Sequence, residues 1–124
     1  MIALEDIKHF MELAGQTTDG ENQPQAALYS ALIQEEFQEL ADADTEVEAF
    51  DAICDLIWVL AGLGYSFGFP MTEGLQEVAR SNFSKVVEGE IKRREDGKIL
   101  KPASYFPPDL KNVLKKYGIT GYTQ

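Results

Sequence analysis

Between Lys8 and Arg80 the chain contains no Lys or Arg, yet that interval holds fourteen Asp and Glu side chains. Any fold built from it lacks a side-chain cation to set against a buried acid. Each carboxylate must therefore reach water, give up its charge, or meet a cation supplied from elsewhere. Residues 80–124 reverse the balance, with ten of the eleven basic side chains and only five acids. The acidic stretch suits cations and the basic stretch suits phosphates, although an acidic surface with a solvated basic end would show the same asymmetry. A net charge of −10 opposes binding to duplex nucleic acid.

The 124 residues fit a single domain, with a helical core over about 4–88 and a C-terminal arm over about 89–124. A 44% hydrophobic and 10% aromatic composition supplies a core and excludes general disorder. Cys54 is the sole cysteine, which excludes a disulfide framework and a cysteine-based zinc site. The longest apolar run, Ile53 to Leu63, contains Asp55 and falls short of the roughly 18 residues of a membrane span. No basic leader follows Met1. The expectation is a soluble, cytoplasmic protein that does not enter a membrane.

Helical spacing predicts an all-α chain. Ile7, Phe10, Met11 and Ala14 mark a first helix over Leu4 to Ala14, stopped by Gly15. A polar loop, Thr17 to Pro24, leads to a second helix from Gln25 to about Ala43. Asp44 or Thr45 caps a third helix to about Tyr65, and Thr45 with Glu48 forms a T-x-x-E capping box. This third helix is apolar nearly all round from Phe50 to Leu63, which suits the middle of a bundle. Thr72 caps a fourth helix to about Glu88. Beyond it, Glu95-Asp96-Gly97-Lys98 reads as a turn, Pro102, Pro107 and Pro108 keep the chain extended, and a short helix spans Asp109 to Tyr117. The expected architecture is an antiparallel four-helix core with a Pro-containing basic C-terminal arm.

Acids fall where a core would be expected. On the second helix Leu28, Tyr29, Leu32, Ile33, Phe37 and Leu40 define an apolar arc; Glu36 and Glu39 project within it, and Glu35 lies at its edge. Gln34 and Gln38 point away. On the third helix Asp51 and Asp55 are one turn apart, on a stripe continued by Trp58 and Gly62. Gly62 leaves room there. Either both faces are solvated, or the acids converge on an ion. Oxygen-only ligands select a hard cation, Mg²⁺ or Mn²⁺. A di-iron bundle needs Glu-x-x-His pairs, and His9 is the lone histidine. On the fourth helix Asn82 falls among Val78 and Leu75, with Lys85 at the border; they form either a satisfied core amide beside a snorkelling lysine or a phosphate-holding pair.

Taken together, Leu32-Ile33-Gln34-Glu35-Glu36-Phe37-Gln38-Glu39-Leu40, Asp51-Ala52-Ile53-Cys54-Asp55-Leu56 and Ser81-Asn82-Phe83-Ser84-Lys85 resemble the three motifs of the MazG-like all-α nucleoside triphosphate pyrophosphatases. The segment from Arg94 to Leu110 is similar to the tail of their phosphoribosyl-ATP pyrophosphohydrolase-like branch. In one respect the chain departs from the family: Ala52 stands three residues before Asp55, where the family usually has Glu, and Asp51 is the available substitute. The resemblance implies Mg²⁺-dependent hydrolysis of a nucleoside triphosphate to monophosphate and pyrophosphate by a homodimer or homotetramer. It assigns Glu36, Glu39, Asp51 and Asp55 to the metal and Glu35 to a second ion or to the proton of the attacking water. Read from the residues themselves, Asn82 and Lys85, with Lys98 or Lys101 from the arm, are expected at the phosphates, and Gln16 with Phe10, Tyr29 or Trp58 at the base. Two other classes stay open on the sequence: a non-catalytic acidic helical interaction module, and a regulatory nucleotide binder without turnover.

Overall fold

A computed structural model describes residues 2–119. Among the described residues there are five helices: α1 (Ile2–Leu13), α2 (Gln23–Ala41), α3 (Glu46–Ser66), α4 (Met71–Phe83) and α5 (Leu110–Lys116). The only β-pairing among them is two isolated bridges. The protein is all-α. No single described helix is long and apolar enough to cross a membrane. The chain divides into two compact units, Met1–Met71 and Thr72–Gln124. The helices expected to make one core thus fall in both, with α1–α3 in the first and nearly all of α4 in the second.

In the first unit, Leu4, Ile7 and Met11 recur at helical spacing along α1 and are buried with Tyr29, Val59, Ala61 and Tyr65. The Tyr65 hydroxyl donates to the Leu4 carbonyl, 3.1 Å, and Phe10 meets Trp58 edge-on with ring centroids 5.7 Å apart. α1 therefore runs opposite to α3. The short link from Asp42 to Thr45 forces α2 and α3 into an antiparallel hairpin as well. α2 starts two residues earlier than the spacing predicts. Asn22 caps it by accepting from the Gln25 amide, 3.1 Å, and Pro24 is tolerated in the first turn because its missing N–H has no helical partner there. Thr45 caps α3 as expected: its Oγ accepts from the Glu48 amide, 3.2 Å, and donates to the Glu48 carboxylate, 3.0 Å.

The loop between α1 and α2 is tied down by a polar knot. Gln25, nearly buried, accepts from the Thr17 amide (3.0 Å) and donates to the Thr17 carbonyl (2.7 Å) and to Ser66 Oγ (2.9 Å). Gly68, at φ +75°, lies against Gly20 so closely that a Cβ would sit 2.8 Å from the Gly20 nitrogen.

α3 is not enclosed as its composition suggests. Ala52 and Val59 are buried, but Val47, Phe50 and Ile57 are 78%, 69% and 58% exposed. With Ile53 and Leu60 they form one continuous apolar face.

In the second unit α4 ends at Phe83, not near Glu88, and begins at Met71, so Thr72 lies within its first turn and not at the cap. The early stop has a tertiary cause. The buried Ser81 hydroxyl donates to the Phe106 carbonyl (2.8 Å), and Ser84 Oγ accepts from the Phe106 amide (3.1 Å), so the Pro-containing segment straps onto the end of the helix. Glu77 accepts from the Asp109 amide (2.7 Å) and from Nε and Nη2 of Arg80 (2.8 Å each), whose guanidinium carbon lies 4.3 Å from the centroid of the Phe106 ring. Lys92 and Leu100, then Arg94 and Lys98, pair across the expected 95–98 turn. The short helix expected over Asp109 to Tyr117 is α5, with Asp109 as its N-cap.

Candidate active site

The α2–α3 hairpin has a fixed register. Gln25 bonds Ser66, Tyr29 lies over Gly62, and further along the charges of Asp55 and Asp51 act on Glu36. Each step moves down one helix and up the other, so acids of the two motifs face each other at the end near the connecting turn. Glu36 shares the stripe of α2 that carries Tyr29 and Leu40, the stripe turned toward α3.

Glu36 is half-buried, and its Oε2 is fully buried without a hydrogen-bond partner. Burial pushes the Glu36 carboxyl above its usual range; a hydrogen bond shared with Glu39 and the charges of Glu39, Asp55 and Asp51 push it the same way. No Lys or Arg lies between residues 9 and 79 to offset them. Glu36 thus feels the charges of three other carboxylates of the two motifs. The set falls short of a finished cage: among the described residues no three Asp, Glu, His or Cys side chains meet closely enough to hold a metal ion. Mutually repelling anions stand apart in this way. The donors are all carboxylate oxygens, and one is buried and unsatisfied, so their chemistry fits a hard divalent cation.

The remaining sequence-predicted residues distribute as follows. Asp55 is half-buried, while Glu35, Glu39 and Asp51 are exposed. Gly62 does not open a space. A Cβ on it would sit 2.2 Å from Tyr29 Cε1, so the notch is filled by the ring. The Tyr29 hydroxyl donates to Gln16 Oε1, 2.7 Å, which fixes one side of the Gln16 amide, and burial raises the Tyr29 pKa. Trp58 is 36% exposed and forms with the exposed Phe10 an aromatic pair at the surface.

In the second unit Asn82 is exposed, not core-facing as the spacing suggests, because Leu75 on the same stripe is itself 49% exposed. Asn82 Oδ1 accepts from Lys85 Nζ, 3.1 Å, so the two motif residues pair with each other. Lys85 and Lys101 come together around one ring, 5.8 and 5.1 Å from the centroid of Tyr105. Lys98 stands apart in the 95–98 turn, its backbone amide held by Asp96. The sequence reading misses Tyr105; an aromatic residue four places after a lysine in a basic arm is the signal that pointed to it.

A family model described as phosphoribosyl-ATP pyrophosphohydrolase matches residues 7–82, more than half of the chain. The chain belongs to this family. No curated protein matches it. Membership in the phosphoribosyl-ATP pyrophosphohydrolase family makes the chain a hydrolase of nucleotide pyrophosphate bonds by descent. The matched span takes in both acidic motifs and ends at Asn82, before Lys85 and the arm.

Proposed function

We propose that this family member hydrolyses a nucleoside triphosphate, or a related nucleotide such as phosphoribosyl-ATP, to the monophosphate and pyrophosphate in a Mg²⁺-dependent reaction on a cytoplasmic nucleotide pool. One observation carries the reading: the buried, unpartnered Glu36 Oε2 among Glu39, Asp55 and Asp51, in a stretch with no basic side chain. Glu36, Glu39, Asp55 and Asp51 hold the ion, and Mn²⁺ suits the same donors. When bound, Mg²⁺ supplies neutralisation of phosphate charge and a more acidic water. Glu35, exposed at the margin of the cluster, accepts the proton of the water that attacks the α-phosphorus. Pyrophosphate leaves with the bridging oxygen, and the monophosphate takes the water oxygen.

In the second unit Asn82, Lys85, Lys98 and Lys101 are the phosphate-contacting groups of this proposal. Trp58, with Phe10 beside it, offers the base an aromatic surface, and Gln16 offers its amide edge. The exposed apolar face of α3 supports assembly into a homodimer or homotetramer.

The deciding experiment measures pyrophosphate release from a panel of nucleoside triphosphates and phosphoribosyl-ATP, with and without Mg²⁺. Release is expected only with the metal, and Glu36→Gln is expected to lower kcat by roughly 100-fold or more with helicity intact. Unchanged turnover in both Glu36→Gln and Glu39→Gln would remove the assignment.

A further inference from the structure

Within Met1–Met71, Gln16 is held from several directions. Its backbone N–H donates to the Met11 carbonyl, 2.9 Å, which fixes the residue just past the end of α1. Its neighbour Thr17 is clamped at both backbone groups by Gln25, at 3.0 and 2.7 Å. Its side-chain oxygen accepts from the Tyr29 hydroxyl, 2.7 Å, and the Tyr29 ring is itself buried against Gly62. A carboxamide has an acceptor end and a donor end. Here the acceptor end is engaged, while among the described residues the donor end, Nε2, bonds to nothing. Gln16 is half-buried, yet Nε2 is not sealed in the core, since Glu36 Oε2 alone among the described side-chain polar atoms is buried without a partner. The result is a fixed pair of N–H groups open to a ligand.

These donors have a definite place relative to the acids. Tyr29 and Glu36 lie seven residues apart on α2, about 10 Å at the standard rise. Trp58 stands one turn before Gly62 on α3, so its aromatic pair with Phe10 adjoins the notch that Tyr29 fills. A nucleotide whose phosphates stand at the acids extends its base toward Gln16, leading with the edge farthest from the sugar.

We propose that Tyr29 is a positioning residue that locks Gln16 as a hydrogen-bond donor, so that the chain selects nucleotides whose base carries a carbonyl oxygen on that outer edge (uracil, thymine, guanine, hypoxanthine) over those with an amino group there (cytosine, adenine). This selectivity rests on the chain taking a nucleotide and names the class of base. A keto base gives Nε2–H an acceptor. An amino base sets N–H against N–H, and both lose water without gaining a partner. Turning the amide over would cure that mismatch, but it would strip the Tyr29 hydroxyl proton of the one acceptor it has among the described residues.

The test measures calorimetric binding of α,β-methylene analogues to the full chain with Mg²⁺, in pairs that differ at that edge: UTP against CTP, and ITP against ATP. Pyrophosphate release from the parent nucleotides is followed in parallel. The keto member of each pair is expected to bind about tenfold or more tightly. Tyr29→Phe keeps the ring over Gly62 and frees the amide to turn, so both ratios are expected to fall to about one. Gln16→Glu offers acceptors only, one to Tyr29 and one to the base, and is expected to reverse both ratios. A merely structural role for Tyr29 would weaken all ligands alike and leave the ratios where they were. Equal affinities within both pairs, or ratios unmoved in Tyr29→Phe and Gln16→Glu, overturn the proposal, and pyrophosphate release then leaves the hydrolase reading standing. Binding of none of the analogues, with no release, overturns both.

Discussion

Glu36 concentrates the conflict between stability and chemistry in a single side chain. Burial, and then the neighbouring acids, raise its pKa, so the folded state keeps a proton that the unfolded chain releases near pH 4.5. Stability from this group is full below that unfolded value and is lost as pH rises through the higher folded one. In divalent-free buffer, thermal melts should therefore weaken from mildly acidic toward neutral pH, and Glu36→Gln should flatten this slope. The same substitution should raise the neutral-pH melting temperature by a few degrees while removing turnover. A variant that melts lower than the parent at neutral pH would show that the carboxylate is no burden. Position 36 was legible in the sequence, because an acid between Leu32 and Leu40 on an apolar stripe needs only the helical period to be seen. The roles of Gly62 and Asn82 were not. The Gly62 notch is closed by Tyr29 from another helix, and Asn82 faces outward because its stripe does; periodicity carries neither fact.

Among the elements, α3 and α4 show opposite kinds of control. The α2–α3 contact is set locally, by a short turn and a small residue. Gly62→Ala must displace the Tyr29 ring, so we expect a loss of about 1–3 kcal/mol in denaturant unfolding. A cost near zero would mean that the ring has room to move. α4 is set from a distance, by hydroxyl bonds to Phe106, which lies 25 residues beyond Ser81. This is why its end could not be read from Val86 and Val87, whose spacing continues the helix. The strap that stops it is held by Glu77, whose carboxyl is lowered to about 2, first by the Arg80 guanidinium and then by the Asp109 amide. A depressed acid stabilises above its ordinary pKa, near 4.5, and that contribution fades as pH falls through about 2. Glu77→Gln should speed hydrogen exchange at the Asp109 amide several-fold at neutral pH; unchanged protection would mean that the strap is held by other contacts.

For the whole molecule, the question is what covers α3. Its composition marked it as a buried helix, and the lone chain leaves Val47, Phe50 and Ile57 mostly in solvent. Helix class follows from the sequence period, but enclosure depends on how much surface the other helices can cover. Light scattering of the parent should give a mass of two or four chains. Phe50→Asp with Ile57→Asp should reduce it to one, each aspartate putting a charge where apolar contact is needed. A parent that runs as a single chain would leave the apolar face without this explanation.

The order of pairs along the α2–α3 hairpin makes it a lever. Hydrogen bonding at Gln25 and Ser66 and ring contact at Tyr29 and Gly62 form the fulcrum, and the mutually repelling acids sit toward the end that the connecting turn closes. Eleven residues of helix separate Gln25 from Glu36, about 16 Å at the standard rise, so a tilt of about 5° carries the Glu36 backbone about 1.4 Å. Travel of that size changes how closely the carboxylates of the two helices approach one another.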